Sequence, residues 1–159
     1  MASPHSRGNC EGKKPAKRKG AALRCPVCVL KHATGMLNLR HHSLIAWQRA
    51  DDLFIKLHKL TIRSFPSFER FELGSQLRKA AYSVPANIAE GYARRHRRER
   101  LHFLNISEAS LAEVSYCIHV AVRLGYLTEA LSKDLEKDLN GVGAPLVGLV
   151  RSIRSSGDD

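Results

Sequence analysis

From Leu44 onward, apolar residues recur three and four positions apart in four successive stretches, and no stretch of useful length alternates apolar with polar. That period belongs to amphipathic helices and leaves nothing from which to build a sheet. The first stretch runs through Leu44, Trp47, Ala50, Leu53, Phe54, Leu57 and Leu60. Asp51 and Asp52 precede Lys56 and Lys59 on its polar side, a favourable charge order. Phe65-Pro66 ends it, because the residue before a proline is pushed out of the α region.

The second helix is expected to start near Ser67 or Phe68, with Ser67 as cap and Glu69 and Glu72 in its early turns. Its buried stripe is Leu73, Leu77, Ala80, Ala81, Val84 and Ile88, and Pro85 should kink or split it. Gly91 is an expected stop, with Arg94 the furthest reach. The third helix spans about Arg97 to Leu124 and carries two apolar stripes. One is Leu101, Leu104, Leu111, Ile118 and Val122; the other is Phe103, Ile106, Val114, Cys117, Ala121 and Leu124. A helix apolar on two faces buries both, so one face suits a bundle core and the other, at Val114 and Ala121, an oligomer interface. Gly125 is the expected C-terminal cap. The fourth helix begins after Thr128, a candidate N-cap, and its stripe is Leu131, Leu135, Leu139, Val142, Leu146, Leu149 and Ile153. Gly141, Gly143 and Pro145 predict a kink or break in its middle. Four helices of roughly 20–28 residues with short connections make an all-α, antiparallel up-down bundle about 30–40 Å long. The bundle is assigned to residues 39–155, with a fraying tail at 156–159.

Residues 1–38 carry no apolar periodicity and are rich in Gly, Lys, Arg, Ala and Ser, which predicts a disordered basic extension. Of the formal net charge of +11, the first 40 residues supply +8, from nine Lys/Arg against Glu11. Such a balance favours nucleic acid or an anionic surface as partner. No secretory signal is visible, and no apolar run approaches the ~20 residues of a membrane span. A cytoplasmic protein without a membrane partner is the expectation. Four cysteines, with Cys117 inside a helical pattern, do not form a secreted disulfide framework.

Several motifs carry a resemblance. They are Trp47-Gln48-Arg49-Ala50, Phe65-Pro66 with Glu69-Arg70, Leu73, Ser75-Gln76-Leu77-Arg78 and Ser83-Val84-Pro85-Ala86-Asn87-Ile88-Ala89-Glu90-Gly91. Phe103-Leu104-Asn105-Ile106, Ser110-Leu111-Ala112-Glu113 and Arg123-Leu124-Gly125-Tyr126-Leu127 complete them. In this order and spacing, over about residues 40–155, the chain resembles the four helix bundle proteins, also called 23S rRNA intervening-sequence proteins. The resemblance implies a bacterial bundle assembled as a ring-like homopentamer, with no attached enzymatic activity. A related group, the accessory proteins of diversity-generating retroelements, shares the fold and partners a reverse transcriptase and nucleic acid. The family pattern begins near Met36, and the preceding 35 residues have no counterpart in it. Met36 is thus a candidate start, with residues 1–35 an over-extended gene reading. A peptide from residues 1–35 in native protein rejects that idea.

The densest chemistry is Arg94, Arg95, Arg97, Arg98 and Arg100, five arginines in seven residues between two helices. Guanidinium forks match phosphate oxygens, so the cluster reads as a sequence-tolerant contact for RNA or DNA backbone, repeated around an oligomer. The plainer reading is a solvated loop satisfied by Glu90 and Glu99. Tyr92 and Phe103 are the few aromatics nearby, which gives base stacking little support. Pro85, Asn87, Glu90 and Gly91 read as a structural motif: Asn87 can satisfy a carbonyl freed by the proline, and Glu90 can pair with an arginine of a neighbouring helix or subunit. A catalytic carboxylate at Glu90 lacks a convincing partner. Trp47 and Phe54 read as core anchors or, alternatively, as an interface hot spot. Cys10, Cys25, Cys28 and His32 could ligate zinc chemically, but nothing around them resembles a compact fold. Glu99-x-x-His102 is half of a di-iron bundle motif without its second half. No metal, cofactor or catalytic residue is therefore assigned. Two functions remain: a non-enzymatic nucleic-acid-binding protein, and a protein-interaction scaffold such as a reverse-transcriptase accessory subunit.

Overall fold

The computed structural model describes residues 39–156, and all four expected helices are there. The N-terminal extension expected for residues 1–38, with its cysteines, lies outside the described residues, as do residues 157–159. A 3₁₀ turn at Arg40–Ser43 leads into α1 (Ile45–Ser64), followed by α2 (Leu73–Ala93), α3 (Arg97–Arg123) and α4 (Glu129–Ser155). Among the described residues there is no strand. Each helix packs on its neighbours in sequence and α1 closes against α4, while diagonal pairs do not meet, which is the order of an up-down four-helix bundle.

The centre is built from the predicted stripes. Leu57, Leu77, Ile88, Leu104, Leu135 and Leu146 are fully buried. Each such side chain stabilises the fold by about 1.5–3 kcal/mol relative to an exposed one. Trp47 and Phe54 pack only at the margin of this core. Trp47 sits against the rings of His41 and His42, at 5.0 and 4.9 Å, and Phe54 meets Tyr82 edge-on at 5.6 Å. Val114 and Ala121 are fully buried inside the single chain. Both faces of α3 are thus consumed by the bundle at these positions, which corrects the expectation that they form an oligomer interface. Large apolar side chains are exposed at other positions, including Ile55 and Ile62 on α1, Tyr82 on α2, Tyr116 on α3 and Leu124 at its end.

Local signals set several boundaries. Phe65, held extended before Pro66, ends α1. The Thr128 hydroxyl accepts from the Leu131 N–H at 3.3 Å and caps α4. At the end of α3 the Tyr126 N–H reaches Ala121 O and the Gly125 N–H reaches Val122 O, both at 2.9 Å, with Gly125 at φ +75°. This is a Schellman motif, and its left-handed residue is what requires glycine there.

Three expectations about continuity are corrected. α2 starts at Leu73, six residues after Ser67, and Ser67 caps nothing. The Glu69 carbonyl is taken by the Gly74 N–H at 2.8 Å, five residues on, so no α turn propagates from it. A Cβ at Gly74 would lie 2.8 Å from that carbonyl oxygen, so glycine permits this tuck. The loop is held from outside: Arg78 donates to Arg70 O and to the Thr61 hydroxyl, at 2.6 and 3.1 Å, and the Tyr126 hydroxyl donates to Glu69 at 3.0 Å. Partial burial and this bond to the Glu69 carboxylate raise the Tyr126 phenol above its usual range.

The second correction concerns only the split expected at Pro85, which is buried within an unbroken α2. The third concerns the break expected in α4, which runs uninterrupted through Gly141, Gly143 and Pro145. Pro145 has no N–H to give the Gly141 carbonyl four residues back. Arg49, 92 residues away on α1, donates to that carbonyl instead, at 2.9 Å.

Candidate nucleic-acid interface

The connection between α2 and α3 is tight because Gly91 is buried against α3. A Cβ there would come 3.1 Å from Phe103 Cβ and 3.3 Å from the Arg100 carbonyl oxygen. α2 runs two residues past Gly91 to Ala93, and Arg94 ends it in an extended conformation. Arg95 and His96 then lead into α3, whose N-cap, His96, supplies no side-chain cap.

The five arginines divide by what they touch. Arg97 donates to the Ile153 carbonyl at 2.9 Å and also to the Arg154 carbonyl. It thereby satisfies orphan acceptors at the C-terminus of α4, where a cation is favoured. Arg100 donates to the Arg94 carbonyl at 2.8 Å and fastens the connection. Arg94 pairs with Glu90 at 2.6 Å and lies 4.8 Å from the centroid of the Phe103 ring. Arg95 and Arg98 are exposed, and among the described residues neither has an ion-pair or hydrogen-bond partner. The helix dipole disfavours cations at the start of α3. Arg97 and Arg100 are held there by carbonyls, whereas Arg95 and Arg98 have no such compensation.

The signature before the cluster is structural in its contacts. The Asn87 amide donates to the Ser83 carbonyl and hydroxyl at 2.7 and 2.9 Å. Ser110 donates to the Ser83 hydroxyl at 2.8 Å, and buried Ser107 donates to the Val84 carbonyl at 3.0 Å. The two serines tie the turn around Pro85 to α3, whereas Asn87 bonds within α2 at Ser83 and not to the Ala81 carbonyl that Pro85 leaves without its helical donor, so the role expected of it is corrected. Glu90, expected to reach a neighbouring helix or subunit, instead pairs with Arg94 one turn along its own chain. With both side chains about half exposed (50% and 43%), that pair contributes no more than about 1 kcal/mol.

Arg94, His96, Arg98, Glu99, His102 and Phe103 line an open cleft of about 560 Å³ beside the cluster. Sequence pointed to Phe103 only as a nearby aromatic; the structure puts its ring under Arg94 and adds His102 to the cleft as its edge-on neighbour. Helical spacing puts His102 one turn from Arg98 on α3, but the contact of Phe103 with Arg94 crosses the α2–α3 connection and leaves no such signal in the sequence. A second groove, about 280 Å³ between α1 and α4, is lined by Arg49, Asp52, Lys56, Lys137, Asp138 and others. Two of its cations are already engaged, Lys56 with Asp138 at 2.6 Å and Arg49 with the Gly141 carbonyl. Among the described residues, no three His, Cys, Asp or Glu side chains gather where a metal ion could be held. Among them also, no helix is long and apolar enough to cross a membrane.

Residues 42–148 match the family of 23S rRNA-intervening sequence proteins. The chain belongs to that family. Its bundle is similar to a crystal structure from Bacteroides thetaiotaomicron, a protein of unknown function in the S23 ribosomal protein family. The TM-score is 0.63 at 18% identity, covering 67% of this chain and 96% of that one. At that identity the likeness concerns the fold alone. No match was found among curated proteins.

Proposed function

We propose that this protein is a non-enzymatic, cytoplasmic homo-oligomer, a pentamer on the family resemblance, that binds RNA or DNA backbone with little regard to sequence. The observation that carries the reading is the pair Arg95 and Arg98, exposed and unpartnered among the described residues beside a third exposed arginine, Arg94. Phosphate oxygens are the natural partners for such guanidinium groups. Around an oligomer the pair would recur at each connection, so weak contacts would add through effective concentration. The test is RNA binding across a salt series, comparing the parent with R95S/R98S. Arg97 and Arg100 stay in place because they hold the fold. The double variant should bind more weakly, and its salt slope should fall by about 1.4, roughly 0.7 for each single-strand phosphate contact removed. An unchanged slope would reject the interface.

A second reading, favoured by a separate observation, is a protein-interaction scaffold such as the accessory subunit of a retroelement reverse transcriptase. Phe68 and Phe71 in the α1–α2 connection are 66% and 83% exposed, and large aromatics so placed suit a protein partner. This reading takes the lead if the parent does not bind RNA.

A further inference from the structure

We infer that the cleft beside the arginines seats one unpaired nucleotide of a single strand, so that the protein distinguishes single-stranded from duplex nucleic acid. The inference rests on the backbone-binding reading above and adds a base to it.

The cleft is built differently from a simple anion site. The Phe103 ring is half-buried in its wall, with the Arg94 guanidinium held over it. Glu90 pairs with that guanidinium at 2.6 Å. His102, exposed, meets Phe103 edge-on at 5.5 Å. Guanidinium planes and aromatic rings are the surfaces on which unstacked bases rest. Here one is already restrained by an ion pair and a ring, so little side-chain freedom is lost on binding. Glu99 also lines the cleft. A carboxylate repels phosphate but accepts hydrogen bonds from the amino and imino groups of a base. Glu99 therefore suits a base, with the flanking phosphates at Arg98, which also lines the cleft, and at the exposed Arg95. A duplex keeps its bases stacked and paired, so it can engage only those arginines.

The experiment is fluorescence anisotropy of the full chain with a 12-nucleotide single-stranded RNA and a blunt 12-base-pair RNA duplex. Three variants join the parent: H102A, H102A/F103L and R95S/R98S. Leucine keeps apolar bulk against Gly91, and exposed His102 can be truncated without touching the core, so H102A reports even if the double variant is unstable. H102A/F103L should lose about tenfold in single-strand affinity, and H102A alone a smaller part of it, with less than twofold change on the duplex. The loss should persist at high salt, because stacking releases no counterions. R95S/R98S should weaken both ligands. If the cleft variants bind both ligands like the parent, or weaken both equally, the nucleotide seat is wrong while backbone binding stands. If R95S/R98S changes neither ligand, the backbone reading itself fails. Displacement of the strand by micromolar adenosine monophosphate would overturn the assignment to a strand.

Discussion

Arg49 acts as the missing donor of a helix it does not belong to, and this can be measured. Proline inside a helix costs about 3 kcal/mol, part of it the hydrogen bond that its ring nitrogen cannot make. In α4 the orphaned acceptor is the Gly141 carbonyl, and Arg49 donates to it at 2.9 Å. A hydrogen bond to a charged group contributes about 1.5–3 kcal/mol when buried. Arg49 is exposed, and water can replace it in part, so about 1 kcal/mol is the better figure here. R49M keeps the aliphatic stem and removes the donor. It should destabilise the parent by about 1 kcal/mol, a fall in Tm of roughly 4 °C for a domain of this size. In a P145A background the new N–H serves Gly141, and R49M should then cost about 0.3 kcal/mol or less. P145A alone should stabilise. Urea unfolding of the parent, both single variants and the double, followed by far-UV circular dichroism, closes the cycle. All four must be compared at one protein concentration, because any assembly contributes to apparent stability. A cost for R49M that is the same in both backgrounds would refute the idea that Arg49 compensates for Pro145.

Two further outcomes test the packing. V114D places a carboxylate in the closed core and should destabilise by more than about 4 kcal/mol, yielding unfolded protein rather than a folded monomer. I55K/I62K should stay folded and, if α1 carries a subunit contact, reduce the mass seen by light scattering; an unchanged oligomer would exclude that face. Tyr126 gives a pH signature. Its phenol is raised in the folded state, so the stability it contributes is full below the ordinary value of 10.0 and is lost as pH rises through the folded value. Y126F should lower Tm slightly at pH 7 and fall less steeply than the parent above pH 10; parallel profiles would show that the bond to Glu69 does not matter.

The features legible in the sequence were those with local causes. Period alone placed four helices, because side chains three and four apart must share a face whatever they face. Phe65-Pro66, Gly125 and Thr128 marked ends through backbone restrictions that act within a few residues. The late start of α2 was not legible, because Arg78 and Tyr126 hold the preceding loop across 8 and 57 residues. The five arginines, equal by spacing, were sorted only by the neighbours that folding brought to them: the end of α4 for Arg97, the connection's own carbonyl for Arg100, and a ring and a carboxylate for Arg94. Sequence by itself therefore determined the helices, their order and the charge at one connection. Tertiary structure decided that α4 passes unbroken through Pro145, that Val114 and Ala121 face inward, and that Arg95 and Arg98 remain available. The physical reason is common to all three. A backbone preference is spent within a turn of where it is written, but a polar group's partner, or a methyl group's burial, depends on a surface supplied from elsewhere in the chain.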